Sequence, residues 1–334
     1  MLDTFLIKTR KYIPAPLFNL FNPLYHKALV LSAALIYRFP SKKIKIIGVT
    51  GTKGKSSTVE ILNTILEEAG YKTALTNTIR FKIGDVSSDN LYKMSMPGRF
   101  FMQRFLRSAV TAGCDYAILE MTSQGAITFR HSFIDMDAFV FTNISPEHIE
   151  AHGSYEKYLE AKLSIARSLA TSGKKPRVLI VNGDDKEADK FLAIPADRKI
   201  AFKIGSLQPY EIKKEGLDFT LHTNGHQKKA SSPLSGLFNL YNILAAVTAA
   251  ESQGVSTEII IRAIEKFGGI RGRVENVDAG QDFKVIVDYA HTPDSLEKVY
   301  QVFQSSRSIC VLGGTGGGRD TWKRGEMGRI ADEY

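Results

Sequence analysis

Residues Ile46–Leu62 read IIGVTGTKGKSSTVEIL. The stretch starts with β-branched apolar residues, passes Gly48, Gly51 and Gly54, and continues through Lys55, Ser56 and Ser57 into a segment with helical spacing. Strand, glycine loop, helix is the order of a βα unit and predicts an α/β fold. The usual phosphate-loop spacing is GxxxxGK[ST]. Here Gly51-Thr52-Lys53-Gly54-Lys55-Ser56 is shorter, and Gly48 lies one residue too far back for the strict pattern. The physics still suits a phosphate. Glycines let backbone N–H groups turn towards a polyphosphate, and the helix N-terminus adds its positive dipole. Lys55 is placed to bridge β- and γ-phosphates, and Ser56 to offer a hydroxyl to Mg²⁺. The alternative reading is an ordinary glycine-rich βα turn.

On either side the chain alternates in the same way. Ile44–Val49, Thr73–Leu75, Tyr116–Leu119, Ala138–Phe141 and Val178–Val181 read as strands. Ser56–Ala69, Arg99–Ala112 and Tyr155–Leu169 read as helices. This β-α-β alternation predicts a mostly parallel sheet with helices on both faces. Ile200–Leu221 is more irregular and suggests small antiparallel strands. Helices are expected at Asn239–Gln253 and Thr257–Phe267, with a hinge at Gly268, Gly269 and Gly272. Beyond it, a strand from Phe283, a helix from Pro293, a strand at Ile309–Leu312 and an amphipathic helix from Arg324 predict a partial Rossmann-like unit. So few elements hardly cover a doubly wound sheet, so the chain is expected to stop inside a domain.

The 334 residues are 43% hydrophobic and 24% charged, which suits about two globular domains. Cys114 and Cys310 lie far apart and outside any Cys/His cluster, against a disulfide framework or a zinc site and for a reducing, cytoplasmic setting. Most of the net charge of +9 sits early: Lys8, Arg10, Lys11, Lys27, Arg38, Lys42, Lys43 and Lys45 stand against Asp3 alone. The apolar run Ala28–Tyr37 is far shorter than the ~20 residues of a membrane span. Two readings of this arm stay open: a helix docked on the core, or a basic amphipathic segment in peripheral contact with the inner surface of an anionic membrane. No nucleic-acid motif accompanies the charge.

A phosphate loop needs partners. Glu120 ends a buried strand at the carboxyl edge, where α/β proteins place ligands. FTNISPEHIEAHG (Phe141–Gly153) ends another strand, with Glu147, His148, Glu150 and His152 clustered behind it. Lys162, in YLEAKLSIA, reads by itself as a solvated lysine.

Taken together, these segments resemble the Mur ligase superfamily of ATP-dependent amide-forming enzymes in peptidoglycan precursor synthesis, to which folylpolyglutamate synthases are related. GTKGKSS resembles its GTNGKTT loop, and EMTSQGAITFR its glutamate-and-arginine segment. TNISPEHIEAHG, YLEAK, VNGDD, SGLFNLYNILAA, RGRVENV and VDYAHTPDSL follow in the family's order. DYAHTPD and MSMPGR resemble the MurE type within it.

The resemblance implies domains at 1–45 (the basic apolar helical arm), 46–270 (central, ATP-binding) and 271–334 (C-terminal, incomplete). It implies ATP and Mg²⁺ as cofactors, and a monomer acting on a UDP-muramyl peptide and an amino acid. Gly51, Thr52, Lys53, Gly54, Lys55, Ser56 and Ser57 would cradle the triphosphate. Ser56, Glu120, His148 and Lys162, the last as a carbamate, would hold metal. Ser95, Met96, Thr122, Ser123 and Arg130 would face the muramyl peptide. Asn239, Asn242, Arg273, Asp288, His291 and Arg319 would serve the nucleotide and the domain junction. Asp320, Lys323 and Arg324 would approach the phosphates with Arg319.

Some positions depart from the family pattern. Lys53 replaces an asparagine, Glu147 and Glu150 replace aspartates, and Met96 replaces a threonine. The arm is about half as long as the family's uridine-binding domain. The sequence ends before the motif that selects the amino acid. A ligase of another carboxylate, of folylpolyglutamate or surface-polymer type, and a truncated ATP-binding module remain as alternatives.

Overall fold

Strands buried on both faces carry nearly continuous apolar runs, and this chain has several. The structure is a computed structural model. It describes residues 15–92, 94–147, 149–213, 216–223, 226–303, 307–313 and 323–334. In chain order α1 (Ala15–Ile36) leads to β1 (Lys45–Thr50), α2 (Lys55–Glu68), β2 (Thr73–Thr76), β3 (Arg80–Ile83) and β4 (Val86–Asp89). Next come α3 (Arg99–Thr111), β5 (Tyr116–Glu120), α4 (Ser123–Ile127), β6 (Ala138–Phe141), α5 (Ile149–His152) and α6 (Tyr155–Ala170). They are followed by β7 (Val178–Asn182), α7 (Ala188–Leu192), β8 (Arg198–Phe202), β9 (Glu211–Lys213), β10 (Gly216–Thr223) and β11 (His226–Ser232). The remainder is α8 (Leu237–Ser252), α9 (Thr257–Glu265), β12 (Glu275–Val277), β13 (Val285–Val287), α10 (Pro293–Phe303) and α11 (Lys323–Glu333).

The main sheet has the order β4-β3-β2-β5-β1-β6-β7-β8. From β2 to β8 every pairing is parallel, and β3 and β4 add an antiparallel hairpin at one edge. Successive side chains point to opposite faces. Ile46, Ala117, Leu119, Phe139 and Phe141 therefore enter one core with α3 and α6. Ile47, Val49, Ile118 and Val140 enter the other with α2, α8 and α9. Both faces are thus covered, and the carboxyl ends of β1, β5 and β6 form a common rim. β9, β10 and β11 form a separate antiparallel sheet. Leu296, Met327 and Ile330 form a small third cluster between α10 and α11.

The predicted strands and helices up to Glu265 are present, with ends shifted by a residue or two. Three expectations need correction. Ile200 and Phe202 belong to β8 in the main sheet and not to the irregular antiparallel region. Ile309–Leu312 forms no strand; Ile309 and Val311 are 92% and 98% exposed, because apolar composition makes a strand only where a neighbour offers backbone partners. Strand β13 pairs antiparallel with β12, so the described part of the C-terminal unit begins with a hairpin rather than a parallel pair.

The N-terminal arm is docked. Val30, Ala33 and Ala34 of α1 are fully buried, and α1 packs against α3. Arg107 closes the helix end, donating from Nε to the Tyr37 carbonyl at 3.0 Å and from Nη2 to that of Arg38 at 3.1 Å. These carbonyls lie past the last turn, where no helical N–H reaches them. Among the described residues no helix is long and apolar enough to cross a membrane.

Candidate active site

The loop after β1 is shaped by the strand beside it. Thr52 N donates to the Asn143 carbonyl at 2.8 Å, and Lys53 N to Asn143 Oδ1 at 2.9 Å. Thr142 Oγ1 and Asn143 Nδ2 both donate to the Lys53 carbonyl, at 2.8 and 3.1 Å. The Thr52 hydroxyl lies 2.9 Å from the Tyr158 hydroxyl. Gly54 is the N-cap of α2, with φ 79°, and no side chain caps the helix. The first-turn N–H groups, from Gly54 through Ser57, therefore have no intrahelical acceptor and face the loop with the helix dipole behind them. A Cβ on Gly54 would lie 2.0 Å from Asn242 Oδ1, so only glycine lets α8 approach this closely. Asn242 Nδ2 in turn donates to Asn239 Oδ1 at 3.1 Å.

Glu120, at the end of β5, is almost fully buried. Its carboxylate accepts from Ser56 Oγ at 2.7 Å, Ser95 Oγ at 2.8 Å, Thr78 Oγ1 at 2.9 Å and Thr78 N at 3.1 Å. Burial pushes its pKa up, but the Lys55 charge and the hydrogen bonds from Ser56, Ser95 and Thr78 outweigh it and hold the group below the usual carboxylate range. A charged carboxylate is thereby kept beside the loop. Lys55 Nζ donates to the Thr52 carbonyl at 2.9 Å.

Lys162 is not a solvated lysine. It is 1% exposed, its Nζ donates to the Gly51 carbonyl at 2.7 Å, and the amine lies 4.7 Å from the centre of the Tyr158 ring. Burial and then the nearby Lys55 charge depress its pKa well below the usual lysine value. It is a buried amine biased towards the neutral, nucleophilic form.

The C-terminal unit reaches the same rim. Lys53 Nζ pairs with Glu147 Oε1 at 3.1 Å, and His291 Nε2 approaches the same oxygen at 3.5 Å. Arg273 stacks over the Tyr289 ring at 4.8 Å, and Tyr289 lies against His291. Asp288 accepts from Val274 N at 2.7 Å and Ala290 N at 2.6 Å, which fixes the hinge backbone.

The residues expected to face a second substrate line the adjoining segment. Thr122 caps α4 by accepting from Gly125 N at 3.1 Å, and Ser123 Oγ lies 3.0 Å from His152 Nε2. Met96 is buried against Gly125, and Arg130 donates to the Met96 carbonyl. Ser57 is buried in the first turn of α2. His148, Arg319 and Asp320 lie outside the described residues. Thr78, Asn143 and Tyr158 carry contacts in the site that no sequence signal assigned. Asn143 and Tyr158 lie inside quoted segments, and Thr78 in none.

Residues 49–250 match the family model described as Mur ligase middle domain, and residues 272–334 match that described as Mur ligase, glutamate ligase domain. The chain belongs to the Mur ligase family. It is 36% identical to the UDP-N-acetylmuramoyl-L-alanyl-D-glutamate–2,6-diaminopimelate ligase of Syntrophomonas wolfei, over 94% of this chain and 65% of that one. It is 34% identical to the UDP-N-acetylmuramyl-tripeptide synthetase of a Roseiflexus species, over 96% of this chain and 66% of that one. A solved UDP-N-acetylmuramoyl-L-alanyl-D-glutamate–2,6-diaminopimelate ligase superposes with a TM-score of 0.68 at 28% identity, over 87% of this chain and 60% of that one. This Mur ligase chain thus spans about 65% of the length of these two sequence relatives.

Membership of the family implies Mg²⁺, and the donor set would fit one ion. Glu120 offers a charged carboxylate and Ser56 a hydroxyl, both hard oxygen donors, at the mouth of the glycine-rich loop. Among the described residues no group of three or more His, Cys, Asp or Glu side chains forms a ready metal cage. An ion here would take most of its remaining ligands from phosphate and water, as Mg²⁺ usually does. Lys162 fits as a metal ligand only once its amine is converted to an anion.

Proposed function

We propose that this chain forms the catalytic core of an ATP-dependent ligase that joins an amino acid to UDP-N-acetylmuramoyl-L-alanyl-D-glutamate in peptidoglycan precursor synthesis. The observation that carries the reading is the meeting of four groups around one loop: Lys55, the uncapped α2 N-terminus, the charged Glu120 and the buried Lys162.

In this reading the α2 amides and Lys55 hold the triphosphate. Glu120 and Ser56 would hold Mg²⁺, which would supply positive charge beside the phosphoryl group. The substrate carboxylate takes the γ-phosphoryl group to give an acyl phosphate, and the amino acid's amine displaces phosphate to leave an amide. The neutral amine of Lys162 is suited to add to CO₂ with loss of a proton, and the carbamate would be an anionic oxygen ligand for a second ion. Thr122, Ser123, Arg130, Ser95 and Met96 shape the muramyl-peptide side. His291, Arg273, Asp288, Asn239, Asn242 and Arg319 serve the nucleotide and the junction, and His148 joins the metal ligands. The enzyme acts as a monomer in the cytoplasm, within domains bounded near residues 45 and 270.

ADP release by the purified protein, with the UDP-muramyl dipeptide and a panel of amino acids, tests the proposal. The amino acid in the name of the Syntrophomonas relative, 2,6-diaminopimelate, is the first to add. Turnover is expected and Lys55→Ala should abolish it, a loss of about 10³-fold or more. No ADP with any amine, or equal turnover of a folate substrate, would overturn it.

A further inference from the structure

The docked face of α1 leaves an apolar stripe pointing outward. Leu24, Leu31 and Leu35 are 69%, 39% and 58% exposed, and with exposed Ala28 they follow helical spacing along one side. Buried Val30, Ala33 and Ala34 occupy the opposite side, against α3. Isolated exposed leucines are ordinary, but an aligned row is the signature of a surface that meets something apolar.

The stripe ends in positive charge. Ile36, itself 65% exposed, opens onto a surface pocket of about 330 Å³ lined also by Tyr37, Arg38, Lys43 and Arg107. Arg107 is anchored on the Tyr37 and Arg38 carbonyls, which fixes one cation in place. Arg38 and Lys43 bring two further cations to the same pocket. From Leu24 to Lys45 the chain carries Lys27, Arg38, Lys42, Lys43 and Lys45 and no acid.

We propose that this face is a membrane-docking surface. Helix α1 lies in the plane of an anionic phospholipid bilayer, its leucine stripe in the acyl boundary and a headgroup phosphate in the basic pocket. Charge decides between occupants. Another copy of this segment would bring cations against cations, whereas anionic headgroups complement them. The helix is too short in apolar length to span, so an in-plane position is the one that buries the leucines and leaves the cations at the headgroups. The surface is independent of the ligase reading, because it shares no residue with the phosphate loop.

Vesicle flotation of the full chain tests it, with phosphatidylcholine alone and with phosphatidylglycerol added, at low and high salt. Binding is expected only to the anionic vesicles and should weaken with salt. The double variant Leu24→Asp/Leu35→Asp should lose about tenfold or more in partitioning for each leucine. Both side chains are exposed, so thermal unfolding should be unchanged. Arg38→Gln/Lys43→Gln should reduce binding to anionic vesicles and flatten the salt dependence. No flotation at low salt, or flotation indifferent to the leucine variant, would overturn the proposal. So would a wild-type dimer that the leucine variant dissociates, since a second copy would then be the occupant.

Discussion

At the scale of single residues, burial decides charge. Lys162 and Glu120 are both buried at the rim, yet one is pushed towards neutrality and the other held ionised. The difference lies in their surroundings: the Lys55 charge and four donors favour the ionised carboxylate, while the same cation disfavours the charged amine, which has one carbonyl. His131 follows the same rule. It is 6% exposed, and burial lowers its pKa from 6.5 to about 4. The unfolded chain therefore binds a proton that the folded chain rejects between those values, so stability must fall as pH drops from 6.5 towards 4. The shift corresponds to up to about 3 kcal/mol. Half-buried His26, also lowered to about 4, adds a smaller, solvent-screened share. Denaturant unfolding across this window should show the loss, and His131→Leu should shrink it; an unchanged slope would assign it to other groups.

At the scale of elements, close approach at the loop depends on Gly54. Its left-handed φ disfavours any side chain, and a Cβ there would come within 2.0 Å of Asn242 Oδ1. Gly54→Ala should weaken ATP binding about tenfold or more and lower stability by about 1–3 kcal/mol. Calorimetric titration and thermal melts check both, and wild-type affinity would contradict the tight α2–α8 contact. The central elements were legible in the sequence because β1, β5, β6 and β7 are buried on both faces and carry unbroken apolar runs. The β3–β4 hairpin was not: Arg80, Lys82 and the wholly exposed Val86–Asp89 carry no such run, and only Gly84 marks its turn. The loop lysine and serine stood out in the sequence by their place between a strand and a helix, although the glycine spacing is shorter than the usual pattern. Thr78 was not, because one hydroxyl at a strand end has no local signature. Lys162 was misread as solvated because a helix sequence does not reveal which loop will lie over it.

At the scale of the whole molecule, two cores on either side of one sheet place the rim, and the C-terminal unit touches it through His291 and Glu147. That contact is long, 3.5 Å between largely buried side chains, and so adds little to global stability. It does place His291 beside the Lys53–Glu147 pair at the loop. His291→Ala should raise amide hydrogen exchange in the Tyr289–Asp294 segment while leaving the thermal unfolding of the main core within about 0.5 kcal/mol of wild type. Unchanged exchange would mean that the Asp288 bonds alone fix the segment.

The two outer strands of the main sheet carry a consequence of their own. Among the described residues no further strand pairs with either, and such an edge presents a row of backbone groups that could recruit a foreign strand. On β8 the exposed Arg198 and Lys199 put positive charge along that row, so a second chain arriving there meets its own cations. On β4 the row is only four residues long, and Asp89 at its end is tied to Arg271 at 2.8 Å. One edge carries charge and the other is short, two features that disfavour edge-to-edge growth of a sheet whose central strands are so apolar.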